Sequence, residues 1–494
     1  MSEILKLMDA LRLGGERIAL NDGKECWTYA RLDQESAQWM VRLEEVGAGR
    51  VAYRLSNGTD WVALDLALLR SGRAAVPIPD FFSRAQQDHV LSVSGIDTYV
   101  TDLAGAPAGF QHCLDVGDID VCRRQVDCPP DLHPGTAKIT FTSGSTGQPK
   151  GVCLSAEHML ATASSICSAL GGEDIRRHLC VLPLSLLLEN VAGIYANLLN
   201  HSQIFVPRLD RIGISGSSGL DIERFVTAQQ VYEPESLILV PQLLLALTVA
   251  GEFAMGLPDS YRFVAVGGGK VPENLISRAA KLGIPVYEGY GLTECGSVVA
   301  LNLPGDSCAG SVGKPLSHAA IELRDGEIFV CGQTMLGYLG EGREAGCIAT
   351  GDLGTLDDEG YLRVHGRKKN CFITAFGRNV SPEWIESELQ TEIAIAHAVV
   401  FGEGLARNVA LIVPRGEAAD PQIGQAIAAA NARLPDYARV ASWRLITLND
   451  FSASGCLTDN GRPRRSQVTE RFATDLQALY TEGQELTYAT IRQA

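Results

Sequence analysis

Two short apolar runs, at residues 139–141 and 152–154, are joined by the stretch TSGSTGQPKG. No other part of the chain limits the fold as much, because strand-like runs entering and leaving a loop stiffened by Pro149 make a compact, hairpin-like clamp. Gly144, Gly147 and Gly151 let the backbone take positive φ and bring amide N–H groups close to an anion. Thr142, Ser143, Ser145 and Thr146 add hydroxyl donors, and Lys150 adds a positive charge. A hydrophobic core has no use for that mixture, whereas a phosphate does. The structural alternative is a Gly/Ser/Thr turn or tether, and the flanking strands and Pro149 argue against it. Lys150 is followed by Gly151 and Val152 rather than by a Ser/Thr that opens a helix, so the spacing is not that of the Gly-Lys-Ser/Thr nucleotide loop.

A chain of 494 residues exceeds what one core supports, so at least two domains are expected. The 42 basic and 58 acidic residues give a formal net charge of −16, which repels a nucleic-acid backbone but leaves nucleotide binding open. Thirteen cysteines are scattered with no CxxC pair and no metal-ligand spacing, and they read as reduced cytoplasmic thiols. The N-terminus MSEILKLMDALRLGG lacks the form of a signal peptide. The longest apolar segment, 237–250, is too short for a transmembrane segment and contains Pro241, so a strand followed by a helix is expected there. Helical spacing at 27–43, 61–70 and 82–93 alternates with strand-like runs at 51–55 and 74–79, the pattern of a mostly parallel sheet with helices on both faces. A helix over 156–170 and a strand over 179–183 continue it.

Three further motifs carry chemistry. FVAVGGGKV, 263–271, runs a strand into Gly267, Gly268 and Gly269, where a flat ligand can approach the backbone, although a tight turn looks the same. VYEGYGLTECGS, 286–297, offers Tyr290 beside Gly291 as a face for a purine, Thr293 as a hydroxyl for a phosphate, and Glu294 as a hard oxygen ligand for Mg²⁺. Taken alone, Thr293-Glu294 is more often a helix start than a ligand pair. TGD at 350–352 and GRKKN at 366–370 flank TLDDEGYLRVHG, a hairpin with Glu359-Gly360 at its tip. Asp352 can accept from both ribose hydroxyls, and Arg367 can approach ribose or phosphate from the other side. Ser381-Pro382-Glu383 reads as a helix start, with strands at 396–401 and 409–414 and a helix between 423 and 434.

Together these motifs resemble the AMP-forming adenylating superfamily, which comprises acyl-CoA synthetases, peptide-synthetase adenylation domains and luciferases, and they lie closest to bacterial long-chain acyl-CoA synthetases. The resemblance implies an α/β fold: a large N-terminal domain of layered sheets and helices with a small β-barrel over 1–368, and a small mobile α+β C-terminal domain over 369–494. Lys369 would be the hinge. It implies ATP, Mg²⁺ and CoA or another thiol acceptor, with a small-molecule carboxylic acid activated to an acyl-adenylate as pyrophosphate leaves. Lys150, Thr293 and Glu294 would serve the chemistry; Gly267 to Gly269 would lie against the adenine and acyl group. An acyl-AMP ligase delivering to an acyl-carrier protein or an amine would share every motif, and a non-catalytic nucleotide or acyl-ligand binder is a further alternative.

Two positions depart from the family pattern. Leu186 in PLSLLLEN stands where long-chain synthetases have a histidine; it either fills core or alters the gate between acyl and thiol channels. GCLTDNGRPRRSQV resembles the terminal element whose lysine meets the reacting carboxylate and α-phosphate, but Arg462 occupies that place and no lysine follows Lys369. Arginine keeps the charge but is longer and planar, so the exchange is not conservative. Three readings stay open: Arg462, or Arg464 a turn away, stabilises the transition state; adenylation proceeds slowly without it; or the chain binds without reacting.

Overall fold

Strand-then-helix alternation folds this chain into two large sheets sharing buried helices. The computed structural model describes residues 2–481 apart from 104, 143–148, 217–218, 343–345, 417, 419, 454 and 459–461. Helix starts follow the sequence signals. The Thr28 hydroxyl accepts from the Arg31 N–H at the head of Tyr29–Glu45, Ser83 and Gln86 form a reciprocal capping box before Arg84–Val93, and Ser155 caps Ala156–Ala169. Pro241 opens the helix Pro241–Glu252 directly after the strand Ser236–Leu239.

Among the described residues, the first sheet has nine strands. Its centre runs parallel through Val286–Tyr290, Phe263–Val266, Ser236–Leu239, Arg177–Leu179, Gln203–Phe205 and Ile18–Asn21. The second has eight, with a parallel centre of Thr136–Thr142, Ala75–Pro77, Val51–Arg54 and Thr98–Thr101. Helix Thr59–Ser71 is buried along almost its whole length, which explains why its sequence reads as apolar on every side. The strand expected over 179–183 ends earlier, at Leu179, because the chain then turns under Asn57. That amide donates to the Leu182 carbonyl at 2.9 Å and accepts from the Leu184 N–H at 2.9 Å.

A buried charge cluster joins the layers. Lys138, on the strand that leads into the 143–148 stretch, is 1% exposed. Its ammonium donates to Asp65 at 2.6 Å, Asn190 at 2.5 Å and the Tyr195 hydroxyl at 3.1 Å. Tyr53 and Tyr195 each donate to the same carboxylate at 2.5 Å. Asn190 and Tyr195 are brought together by a π-helical stretch, Glu189–Tyr195, that the sequence reading did not anticipate.

In place of the small barrel expected within 1–368, the described strands Ala319–Arg324, Glu327–Gly332, Ile348–Leu356 and Leu362–Arg367 form an antiparallel four-stranded sheet. It corrects the expectation of thirteen separate thiols, because Cys331 and Cys347 are joined in a disulfide. Val330 pairs with Ile348 across the strands, so the next residue outward on each side is a cysteine. The C-terminal part places helices Pro382–Gln390 and Asp420–Arg433 on a three-stranded sheet of Ile395–Phe401, Asn408–Pro414 and Val440–Leu445, with its own apolar cores. Ser381 does precede Pro382–Gln390, but its hydroxyl donates to the Glu383 carboxylate at 3.0 Å instead of capping a helix N–H. Among the described residues no helix is long and apolar enough to cross a membrane.

Candidate active site

The chemistry-bearing motifs meet outside the carboxyl ends of the parallel strands, the place where an open α/β sheet leaves a crevice. Strand Phe263–Val266 ends in Gly267 to Gly269. A Cβ on Gly267 would lie 3.2 Å from the Gly289 carbonyl oxygen, and Gly268 adopts φ +78°. The three glycines thus form a ridge without side chains of its own, flanked by Val240, Pro241 and Arg462. The neighbouring strand Val286–Tyr290 runs into Gly291, where a Cβ would meet the Ser297 carbonyl oxygen at 1.6 Å, so only glycine allows the turn into the short helix Thr293–Cys295.

Asp352 and Arg367 sit directly opposite each other in the hairpin of Ile348–Leu356 and Leu362–Arg367. Arg367 Nε lies 3.0 Å from Asp352 Oδ1, and Arg367 Nη1 donates to the Thr350 carbonyl at 2.9 Å. The Tyr290 hydroxyl donates to Asp352 Oδ2 at 2.7 Å, joining the second motif to the third. Burial raises the Asp352 carboxyl above its ordinary value, while Arg367 and the Tyr290 hydrogen bond pull it down.

Thr142 and Lys150 face each other as the paired ends of the expected hairpin. Ser143, Gly144, Ser145, Thr146 and Gly147 lie outside the described residues. Lys150 is half-exposed and lies 3.2 Å from Glu341 Oε1. Lys369 is exposed in the turn after Leu362–Arg367, next to Asn370, whose amide donates to Glu383 at 2.5 Å. Leu186 lies partly buried in the turn before Glu189–Tyr195, its carbonyl accepting from the Asn190 N–H at 3.1 Å.

Arg462 reaches this site from the far end of the chain. Its Nη2 lies 3.9 Å from where a Cβ on Gly268 would stand. A local turn sets it up, with the Arg462 N–H donating to the Thr458 hydroxyl at 3.0 Å. Although the residue retains exposed surface, desolvation depresses the guanidinium pKa, the like charge of Arg367 adds to this, and Asp352 and Glu383 oppose it. Arg464, the alternative position, stands instead at the cap of helix Arg465–Arg471.

The donor set fits a magnesium nucleotide. Glu294 could supply a hard carboxylate oxygen and Thr293 a hydroxyl, Lys150 and Arg462 cations, and the glycine ridge a surface for a flat base. Sequence reasoning missed Glu288, buried on the strand Val286–Tyr290 behind this ridge. Burial pushes its carboxyl up to about 7, Glu273 adds to this, and Lys270 and the Val271 N–H oppose it. A pKa raised above the ordinary 4.5 means the folded state holds the proton longer. Stability from this group is therefore full below pH 4.5 and is lost as the pH rises through about 7. Glu288→Gln is expected to remove that decline, a difference of about 3 kcal/mol at most, read as urea unfolding of both proteins at pH 5 and pH 8.

Comparisons with known proteins agree with this geometry. The model of the AMP-binding enzyme family matches residues 9–339, and that of the AMP-binding enzyme C-terminal domain matches 370–484. The chain is 30% identical over 426 residues to a 2-succinylbenzoate–CoA ligase of Bacillus velezensis, covering 80% of this chain and 84% of that protein. It is 25% identical over 555 residues to the long-chain-fatty-acid–CoA ligase FadD15 of Mycobacterium bovis, covering 92% of each. O-succinylbenzoate coenzyme A synthetase of Bacillus subtilis, solved with ATP and a magnesium ion, superposes with a TM-score of 0.72 at 23% identity over 94% of this chain and 99% of that one. With the family model matching 9–339 and its C-terminal-domain model matching 370–484, the chain belongs to the AMP-binding enzyme family.

Proposed function

We propose that this protein is an AMP-forming acid–thiol ligase: it activates a carboxylic acid with ATP and passes the acyl group to a thiol, with CoA as the acceptor. The observation that carries this reading is the arrival of Arg462 at Gly268, beside the Tyr290–Asp352–Arg367 cluster. A cation from the C-terminal part thereby stands beside the groups that this reading assigns to the nucleotide.

In this reading the substrate carboxylate attacks the α-phosphorus of ATP and pyrophosphate leaves. The thiol then attacks the acyl carbonyl and AMP leaves. Asp352 accepts from the ribose hydroxyls, and Gly267 to Gly269 with Tyr290 and Gly291 flank the adenine. Lys150, with Thr142 and the 143–147 stretch, holds the departing phosphates, assisted by Thr293. Glu294 holds Mg²⁺, which draws negative charge off the phosphates when bound. Arg462 meets the charge that develops between the α-phosphate and the attacking carboxylate, where a prepositioned cation has its greatest effect. We place the boundary between 1–368 and 369–494, with Lys369 as the hinge.

The test is pyrophosphate release over a panel of aliphatic and aryl acids, the relatives' two substrates included, with and without CoA. Release with one acid class, and thioester only when CoA is present, is expected. Release without thioester moves the acceptor to a carrier protein or an amine. A flat response to every acid overturns the reading.

A further inference from the structure

We infer that Tyr338 is a positioning residue for the nucleotide site: its hydroxyl holds Glu294, its ring face supports Lys150, and together they keep those two opposite charges from pairing with each other. The inference rests on the adenylation reading and deepens it.

Tyr338 belongs to no nucleotide motif, yet the chain returns from the four-stranded sheet expressly to the edge of the phosphate hairpin. The two-residue strand Gly337–Tyr338 pairs with Lys150–Ser155, Tyr338 lying opposite Val152. The Leu336 and Leu339 N–H groups donate to the Cys153 and Gly151 carbonyls, each at 2.8 Å, and the Met335 N–H donates to the Glu294 carbonyl at 2.7 Å. One short segment therefore bonds the backbones of both the Lys150 strand and the Thr293–Cys295 turn. His133 fixes it from behind, within 3.0 Å of the Tyr338 carbonyl.

The Tyr338 side chain then meets both charged groups. Its hydroxyl donates to Glu294 Oε1 at 2.9 Å, a charge-assisted bond that fixes the carboxylate's orientation. Lys150 Nζ lies 5.1 Å from its ring centroid, within reach of a cation–π contact. The Lys150–Glu341 pair is exposed on both sides and is a weak hold by comparison. If the ring were absent, Glu294 and Lys150 would be free to approach each other, and a carboxylate that neutralises a lysine is a poorer ligand for a dication.

The test uses Tyr338→Phe, which keeps the ring and every backbone bond, and Tyr338→Leu, which removes both functions. ATP binding is followed by titration calorimetry with magnesium and again with EDTA. Tyr338→Phe is expected to lose about fivefold or more in magnesium-ATP affinity, with metal-free ATP affinity within about twofold of wild type, and to need a correspondingly higher magnesium concentration for half-maximal pyrophosphate release. Tyr338→Leu is expected to weaken metal-free ATP binding as well. Wild-type magnesium dependence in Tyr338→Phe overturns the inference, as does an equal loss with and without metal. If the wild-type protein shows no magnesium-dependent ATP binding, the nucleotide reading falls, and this inference with it.

Discussion

Arg462→Ala is expected to slow acid-dependent pyrophosphate release by about 100-fold, the size of effect seen when one preorganised donor at developing charge is removed. The structure supplies the reason. The guanidinium stands beside Gly268, within the field of Asp352 and Arg367, where it can meet charge on a bound phosphate. Alanine leaves the negative charge on the reacting phosphate unmet. Lysine restores a cation of the same sign but shorter reach, so Arg462→Lys is expected to keep the rate within about tenfold of wild type. Because the groups proposed to hold the nucleotide, Asp352, Tyr290 and the glycine ridge, are unchanged in the variant, the loss should fall mainly on kcat, with KM for ATP changed far less. An alanine variant that releases pyrophosphate at the wild-type rate removes Arg462 from the mechanism.

The second large effect is on stability. Lys138→Met is expected to destabilise the N-terminal part by about 3–5 kcal/mol, because it leaves the Asp65 carboxylate buried without its cation. Asp65 is 1% exposed and accepts from Lys138, Tyr53, Tyr195 and Asn190. Two phenols and an amide cannot balance its charge. The double change Lys138→Met with Asp65→Leu is expected to recover much of the loss, since an apolar pair of similar volume replaces the ion pair without stranding a charge. Urea unfolding followed by intrinsic fluorescence measures both: a lower midpoint for the single variant and a partial return for the double. Additive losses in the double variant would show that the cluster is not acting as a charge pair.

The difference between what could and could not be read in the sequence has a physical basis. Asp352 and Arg367 were legible as the two ends of one hairpin, and its register in the structure places them opposite each other. Glycine positions were legible because backbone approach and positive φ have a residue-type signature. The Asp65–Lys138 pair was not, because its members are 73 residues apart and a lone lysine in an apolar strand carries no mark of its partner. Cys331 and Cys347 escaped notice for a similar reason: their pairing depends on a cross-strand register and not on a spacing motif. Tyr338 lies in no nucleotide motif, and only the returning strand shows that it touches Glu294 and Lys150. Arg462 was legible from its place in GCLTDNGRPRRSQV, and the structure adds where its guanidinium goes.

The central claim is that a carboxylate oxygen becomes bonded to the α-phosphorus of ATP. Turnover of the best acid from the panel, labelled with ¹⁸O in both carboxyl oxygens, followed by mass spectrometry of the nucleotide product, tests it directly. The expected product is AMP carrying one ¹⁸O atom. Unlabelled AMP, or ADP in its place, would contradict it.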